Sequence, residues 1–188
     1  MSNPLTKPDG DIWVFAYGSL IWHPNFEYVE KCTANLYGYH RALCIYSVEY
    51  RGTHDLPGLV FGLDSGGLCQ GMAFRVLGKD AVSVIRSLDE REMVTGVYCP
   101  TWADINLYSN DQTEPTKTKA YIFVADTNHT QYAGKLSDDE TVRLVQQGHG
   151  KAGPCIDYLQ NTLDHLIKLG IDDPSLAGIV KKILDTNA

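Results

Sequence analysis

Apolar and polar positions follow two different periods along the chain, strand-like over most of its length and helical in the last third. The first apolar run, 12–17, is short enough for a buried strand and ends at Gly18 and Ser19. Asp-Ser-Gly-Gly at 64–67 is typical of a hairpin turn between two strands. Further strands are predicted at about 32–37, 41–48, 59–63, 70–76, 97–107 and 119–125.

Helical signals gather after residue 136. Ser-Asp-Asp-Glu at 137–140 is a capping box and begins a helix through Val145. Two more helices are predicted over 155–168, before Gly170, and from about Pro174. The first strands have no helices between them, which disfavours a parallel doubly wound sheet and favours an α+β fold on a small barrel or a strongly curled sheet. We expect a flexible N-terminal tail at 1–10 and a single domain at 11–188.

One further helix, predicted over 79–92, interrupts the strands and carries an acid on its apolar face. Four residues of this helix, spaced by four, three and four positions, fall on one side of it within about 60° of one another. They are Ala81, Ile85, Leu88 and Glu92. Burial and the helix C-terminus should both raise the pKa of the Glu92 carboxyl, as general acid-base chemistry near neutral pH requires. The alternative is a solvated Glu92 beyond the helix end, or one that pairs with Arg91 or Arg86.

The segment F-A-Y-G-S-L-I-W at 15–22 is a second candidate for chemistry. Glycine lets the backbone turn sharply and approach a ligand closely. Successive backbone N–H groups in such a turn form a concave site suited to a carboxylate. A plain strand-to-loop turn is the alternative, because Gly-Ser is a common turn pair.

Composition narrows the function classes. The chain has 188 residues, 44% of them hydrophobic, and a formal net charge of −7, which opposes binding to a phosphate backbone. It holds no apolar run near the ~20 residues that span a bilayer, and its polar N-terminal residues are unlike a signal peptide, so we expect a cytoplasmic protein. The absence of a C-x-x-C pair among the widely spaced cysteines disfavours a zinc site. The cysteines are Cys32, Cys44, Cys69, Cys99 and Cys155.

A set of motifs occurs in one order over about residues 11–170. They are F-A-Y-G-S-L-I-W (15–22), R-G-T-H-D-L-P-G-L-V-F-G-L-D (51–64), G-M-A-F-R-V (71–76), L-D-E-R-E-M-V-T-G-V-Y (88–98), Y-A-G-K-L (132–136) and G-H-G-K-A-G-P-C-I-D-Y-L (148–159). In this order the set resembles the ChaC family of γ-glutamylcyclotransferases, which act on glutathione.

The resemblance implies a small closed β-barrel flanked by helices, and a small-molecule substrate with no metal or cofactor. The products would be 5-oxoproline and cysteinylglycine, with Glu92 as the catalytic acid and base. Tyr158 is implied to line the substrate site. The residues implied to hold the α-amino and α-carboxylate end of the γ-glutamyl group are Ala16, Tyr17, Gly18, Ser19 and Leu20. No nucleic-acid or membrane partner is expected, and the sequence does not specify an oligomeric state.

Several choices stay open at this level. The family often has glycine at the position of Ala16, and serine and asparagine at those of Ala152 and Cys155, which puts polar contacts from the late segment in doubt. Other γ-glutamyl amines or amino acids are alternative substrates, and a non-catalytic regulator associated with cation transport is an alternative function. Arg41 and Arg51 are candidates for a distal substrate carboxylate or for ordinary surface pairing.

Overall fold

The structure of the protein is a computed structural model that describes residues 10–109 and 113–186. Most of the predicted tail, 1–9, lies outside these residues. The strands are β1 (Ile12–Ala16), β2 (Glu30–Ser47), β3 (Gly58–Val76), β4 (Tyr98–Tyr108), β5 (Thr116–Ala125), β6 (His149–Gly150) and β7 (Gly153–Pro154). The α-helices are α1 (Ala81–Glu92), α2 (Asp138–Gln147), α3 (Cys155–Lys168) and α4 (Pro174–Thr186).

The long strands form a closed barrel in the order β1-β3-β2-β4-β5. β1 lies antiparallel to β3, with Ala16 opposite Met72, and parallel to β5, with Trp13 opposite Ala120. β4 and β5 pair antiparallel along almost their whole length. The prediction of an α+β fold built on a small closed barrel is therefore confirmed.

Contacts among the described residues divide the chain into two compact units. The first runs to Arg41 and resumes over Leu63–Asp126, so it contains β1, α1, β4 and β5. The second comprises Ala42–Gly62 and the chain from Thr127 onward, with α2, α3 and α4. That residues 11–188 form a single domain stays a prediction.

The predicted hairpin at 64–67 is wrong, because β3 continues through this segment. Gly66 and Gly67 have φ of 89° and 77°, a left-handed conformation that lets a strand bulge and bend without reversing. β2 accompanies β3 past the glycines: a ring nitrogen of His40 lies 3.1 Å from the Gly66 carbonyl oxygen, and the Gln70 amide donates to Asn35 at 3.3 Å. The predicted strands 32–37 and 41–48 are likewise one strand, β2.

The predicted helices are all present, and their ends follow the expected chemistry except at Glu140. The Ser137 hydroxyl accepts the Glu140 N–H at 3.3 Å, whereas the Glu140 carboxylate pairs with Arg143 instead of closing the capping box. Asp173 caps α4 by accepting the Leu176 N–H at 3.0 Å. In the part of the chain that the structure describes, no helix combines the length and apolarity needed to cross a membrane.

Two glycines of the helical segments predict opposite responses to the same substitution. Gly178 is exposed within α4, and Gly170 follows α3 with φ of 70°; an added Cβ would meet nothing within 4 Å at either position. Gly178→Ala should raise the free energy of unfolding by about 0.5–1 kcal/mol, because glycine loses more backbone entropy in a helix. Gly170→Ala should lower it, because alanine is strained at positive φ. Urea titrations compare the two, and a shift in the same direction would contradict this explanation.

Candidate active site

Glu92 is the last residue of α1 and lies at the end of its buried face. The Met93 N–H donates to the Asp89 carbonyl at 2.9 Å, so the helix does reach Glu92 as predicted. Along the stripe, Ala81 and Leu88 are buried. The Glu92 side chain is only 20% exposed, which rules out the alternative of a solvated loop residue.

Burial and an ion pair act on the Glu92 carboxyl in opposite directions. Removal from water raises its pKa above the usual value, and the Arg91 guanidinium, with Nε 3.0 Å from Oε1, opposes the rise. Burial prevails, because the charged carboxylate loses hydration that one neighbouring cation restores only in part. The predicted burial and the alternative of a pair with Arg91 therefore occur together, and burial decides that the pKa of the carboxyl is raised.

The Y-G-S-L segment forms a tight turn directly after β1. Ser19–Ile21 make one turn of 3₁₀ helix, in which the Ile21 N–H donates to the Gly18 carbonyl at 3.0 Å and the His23 N–H to the Ser19 carbonyl at 2.8 Å. The first N–H groups of a helix have no acceptor within that helix. The turn therefore presents backbone donors at its start, around Gly18 and Ser19.

The turn is anchored to the barrel on both sides of the glycine. Tyr17 and Leu20 are buried, and the Tyr17 hydroxyl donates to the Phe123 carbonyl of β5 at 2.8 Å. Arg41 donates from Nε to the Tyr17 carbonyl and from Nη2 to the Gln70 carbonyl, both at 2.6 Å. Arg41, for which the sequence left two roles open, thus binds backbone carbonyls and holds the start of the turn.

Arg91 connects this turn to the acid. Its Nη2 donates to the Ser19 hydroxyl at 2.8 Å and its Nη1 to the His23 carbonyl at 2.7 Å, while Nε faces Glu92. Sequence reasoning treated Arg91 only as a possible ion-pair partner and missed its contacts with a turn about 70 residues earlier. Its position next to Glu92 is the signal that could have drawn attention to it.

A buried tyrosine fixes the last turn of α1 to the barrel. Tyr121 of β5 is fully buried, and its hydroxyl donates to Asp89 Oδ1 at 2.6 Å. Burial, followed by the bond to Asp89, raises the pKa of the Tyr121 hydroxyl, so it stays protonated and remains a donor. Asp89 precedes Glu92 by one helical turn, so this bond helps to fix the helix end that carries the acid.

Tyr158 belongs to the second unit and is buried within α3. Its hydroxyl accepts the Phe61 N–H at 3.3 Å, and the Arg51 guanidinium lies 5.7 Å from the centre of its ring. Arg51 also donates from Nη1 to the Pro154 carbonyl at 3.0 Å. The substrate contact that the resemblance implies for Tyr158 stays a prediction.

Cys155, where the resemblance put polar contacts in doubt, has a structural role in this chain. The thiol is fully buried; it donates to the Leu59 carbonyl at 3.0 Å and accepts the Leu59 N–H at 3.3 Å. Burial raises the pKa of the Cys155 thiol to about 11, so it is not a thiolate nucleophile at neutral pH. Cys155 therefore fastens the start of α3 to β3. Ala152, three residues earlier in the chain, is exposed.

The raised pKa of Glu92 predicts a pH-dependent cost to stability. An unfolded glutamate titrates near ~4.3, so between that pH and the folded pKa the folded protein binds more protons and its stability falls as pH rises. Glu92→Gln should lose this part of the decline. Thermal unfolding of wild type and Glu92→Gln from pH 4 to pH 9 measures how stability changes with pH. Glu90→Gln, at an exposed position, is the control. The same pH dependence in wild type and Glu92→Gln would show that Glu92 is not perturbed.

Comparisons with known proteins give the family. Residues 12–186 match the family described as ChaC-like protein. The chain is 35% identical over 185 residues to the glutathione-specific gamma-glutamylcyclotransferase of Escherichia coli (strain K12), which covers 96% of this chain and 78% of that protein. It is 30% identical over 189 residues to glutathione-specific gamma-glutamylcyclotransferase 1 of Homo sapiens, and this alignment covers 97% of this chain and 84% of the human protein.

A solved structure supports the fold. The crystal structure of a selenomethionine-labelled gamma-glutamyl cyclotransferase specific to glutathione, from yeast, superposes with a TM-score of 0.85 at 20% identity and covers 94% of this chain and 97% of that one. At this identity the likeness shows a shared fold. The match over residues 12–186 and the relatives at 30–35% identity establish that the chain belongs to the ChaC-like family.

Proposed function

We propose that this protein is a γ-glutamylcyclotransferase that cleaves glutathione to 5-oxoproline and cysteinylglycine. The observation that carries the proposal is Glu92, a carboxyl of raised pKa connected through Arg91 to the turn after β1. The names of the E. coli and human relatives supply the substrate class. The cytoplasmic location expected from the N-terminal residues stays a prediction.

The reaction needs one proton carrier and no external nucleophile. The α-amine of the γ-glutamyl residue attacks the γ-carbonyl carbon of the same residue, forming the five-membered ring, and the bond from that carbon to the cysteine nitrogen breaks. Ring closure loses little translational entropy because both groups belong to one molecule. The substrate amine has a pKa near ~8 and is mostly protonated at pH 7, so a base must first remove its proton.

Glu92 is suited to carry that proton in both directions. Its carboxylate accepts one proton from the substrate ammonium and delivers it to the departing cysteine nitrogen, which leaves as an amine. The attacking nitrogen loses a second proton as it becomes the lactam N–H, and this proton passes through the same carboxylate to the released cysteine amine or to water, so that Glu92 ends each turnover as a carboxylate. A raised pKa makes the carboxylate a stronger base and its protonated form a donor near neutral pH. Protons and charges balance without a metal or cofactor.

The turn after β1 is suited to hold the α-carboxylate end of the substrate. Backbone N–H groups at the start of the 3₁₀ turn, around Gly18 and Ser19, are donors for an anion. The anchoring of Tyr17 through Phe123 and Arg41 keeps these donors in a fixed position before substrate arrives. Preorganised donors of this kind favour binding because they need not be ordered at that moment.

The decisive experiment measures products from matched substrates. Purified protein is incubated with glutathione, with γ-glutamyl-alanine, with N-acetyl-glutathione and with the α-linked isomer of glutathione, and 5-oxoproline and cysteinylglycine are quantified. We expect equal amounts of both from glutathione. We expect none from the N-acetyl compound, whose amine is blocked, or from the α-linked isomer, which cannot close the same ring.

Each other outcome decides against part of the proposal. Cleavage of N-acetyl-glutathione would indicate a hydrolase, because ring closure is not available to it. Turnover of γ-glutamyl-alanine in preference to glutathione would keep the cyclotransferase but change the substrate. Failure with every γ-glutamyl compound would leave the non-catalytic alternative.

A further inference from the structure

We infer that Arg91 is a positioning residue that fixes the Glu92 carboxylate and the substrate-binding turn relative to each other. The kinetic consequences of this inference rest on the proposed function, whereas the geometry does not. A single guanidinium contacts the acid through Nε, the Ser19 hydroxyl through Nη2 and the His23 carbonyl through Nη1, at 3.0, 2.8 and 2.7 Å.

The planarity of the guanidinium makes these contacts interdependent. Its N–H donors lie in one fixed fork, so the two hydrogen bonds to the turn fix the plane of the guanidinium and thereby the place of its positive charge beside Glu92. The acceptors come from widely separated parts of the sequence, with Ser19 72 residues and His23 68 residues from Arg91. Movement of the turn would therefore be transmitted to the carboxylate, and movement of the carboxylate to the turn.

Partial burial strengthens the attraction between Arg91 and Glu92. The Arg91 side chain is 25% exposed and that of Glu92 20%, so water screens their attraction less than it screens a pair on the open surface. Asp89 accepts the Tyr121 hydroxyl from β5, and His23 presents its backbone carbonyl to Arg91.

Loss of the guanidinium should have two separable effects on the enzyme. The turn would lose its connection to α1, which weakens substrate binding. The Glu92 carboxyl would lose the cation that opposes the effect of burial, so its carboxylate would form only at higher pH. Lysine would retain the charge, but its single ammonium is a point charge on a flexible stem and would not reproduce the fork.

Steady-state kinetics with glutathione from pH 5 to pH 9 test both expected effects of losing the Arg91 guanidinium. We expect Arg91→Gln to lower kcat/KM about ten- to hundredfold, to raise KM, and to move the acid limb of the kcat/KM profile to higher pH. Arg91→Lys should bring the acid limb back towards wild type without restoring KM. Arg86→Gln, an exposed arginine on the same helix, is the matched control and should match wild type.

A merely structural role gives a different result. If Arg91 serves only folding, Arg91→Gln lowers the amount of folded protein while the remaining enzyme keeps the wild-type KM and acid limb, and this outcome overturns the inference. Should Arg91→Gln fail to fold, Ser19→Ala replaces it. That variant removes one acceptor of the fork and leaves the Arg91–Glu92 pair, so we expect KM to rise with the acid limb unchanged; an unchanged KM overturns the inference.

A measurement without substrate separates this inference from the proposed function. In protein labelled with ¹³C in the glutamate carboxyl groups, the Glu92 signal is assigned by its absence in Glu92→Gln and is titrated in wild type and Arg91→Gln. We expect a higher pKa in Arg91→Gln, together with faster hydrogen exchange at residues 21–23. An unchanged titration overturns the inference even if the enzyme is active, and a shifted one sustains it even if glutathione is not the substrate.

Discussion

Replacement of Glu92 by glutamine is expected to lower kcat for 5-oxoproline formation from glutathione by about 10²–10⁴-fold, the usual contribution of a general acid-base group. The amide has the shape of the carboxyl but cannot accept the ammonium proton or deliver it to the leaving nitrogen. KM should change little, because the substitution leaves in place the hydrogen bonds of Arg91 to the Ser19 hydroxyl and the His23 carbonyl of the turn. Steady-state rates at pH 7.5 measure both parameters.

The control for this prediction is two residues away on the same helix. Glu90 is exposed, so Glu90→Gln makes the same chemical change without altering the buried face, and it should leave kcat and KM at wild-type values. If Glu92→Gln retained full activity, Glu92 would not be the proton carrier, whatever the substrate. The contrast with Arg91 is informative, since loss of the arginine is expected to act on KM and on the pH profile as well.

Gly71→Ala is expected to have the second large effect, a loss of stability. Gly71 lies in β3, next to the end of β1, the strand that leads into the turn. An added Cβ would lie 2.3 Å from the Ala16 carbonyl oxygen and 2.9 Å from Cζ of Phe15. The first neighbour is backbone within a paired strand, so it cannot rotate away. Overpacking of a core costs about 1–3 kcal/mol. We expect Gly71→Ala to lower the free energy of unfolding by an amount at the upper end of this range or above it.

The same clash should also reach the active site. Ala16 immediately precedes Tyr17, and a displaced Ala16 carbonyl would move the start of the turn, so KM should rise in the protein that still folds. Urea unfolding and glutathione kinetics measure the two effects. Gly178→Ala is the matched control, because the same substitution at an open helix position should not lower stability or activity. A Gly71→Ala protein as stable and active as wild type would show that β1 and β3 can separate at no cost.

Local patterns in the sequence predicted most of the elements and the face on which Glu92 lies. The spacing from Ala81 to Glu92 describes a helix face whatever the surroundings, and α1 covers those residues. Ser137 and Asp173 cap helices through contacts within one turn. These predictions succeeded because the interactions involved join residues three or four positions apart.

The errors occurred where the decision depended on a neighbouring strand. Gly66 and Gly67 are suited equally to a hairpin and to a bulge, and it is β2 alongside that keeps β3 continuous. The tie between Arg91 and the turn could not be predicted for the same reason. It joins residues 68 and 72 positions apart, and only closure of the barrel determines that they meet.

The sequence by itself predicted the helices, most of the strands and the helix face that carries Glu92, and it contains the ordered set of motifs that resembles the family. The tertiary structure decided that Glu92 is paired as well as buried, that Arg41 and Arg91 hold the turn after β1, and that Cys155 is a fastening between α3 and β3. The physical reason is range: periodicity and capping act within a few residues, whereas the partners of a buried charge are chosen by the register of strands far apart in the chain.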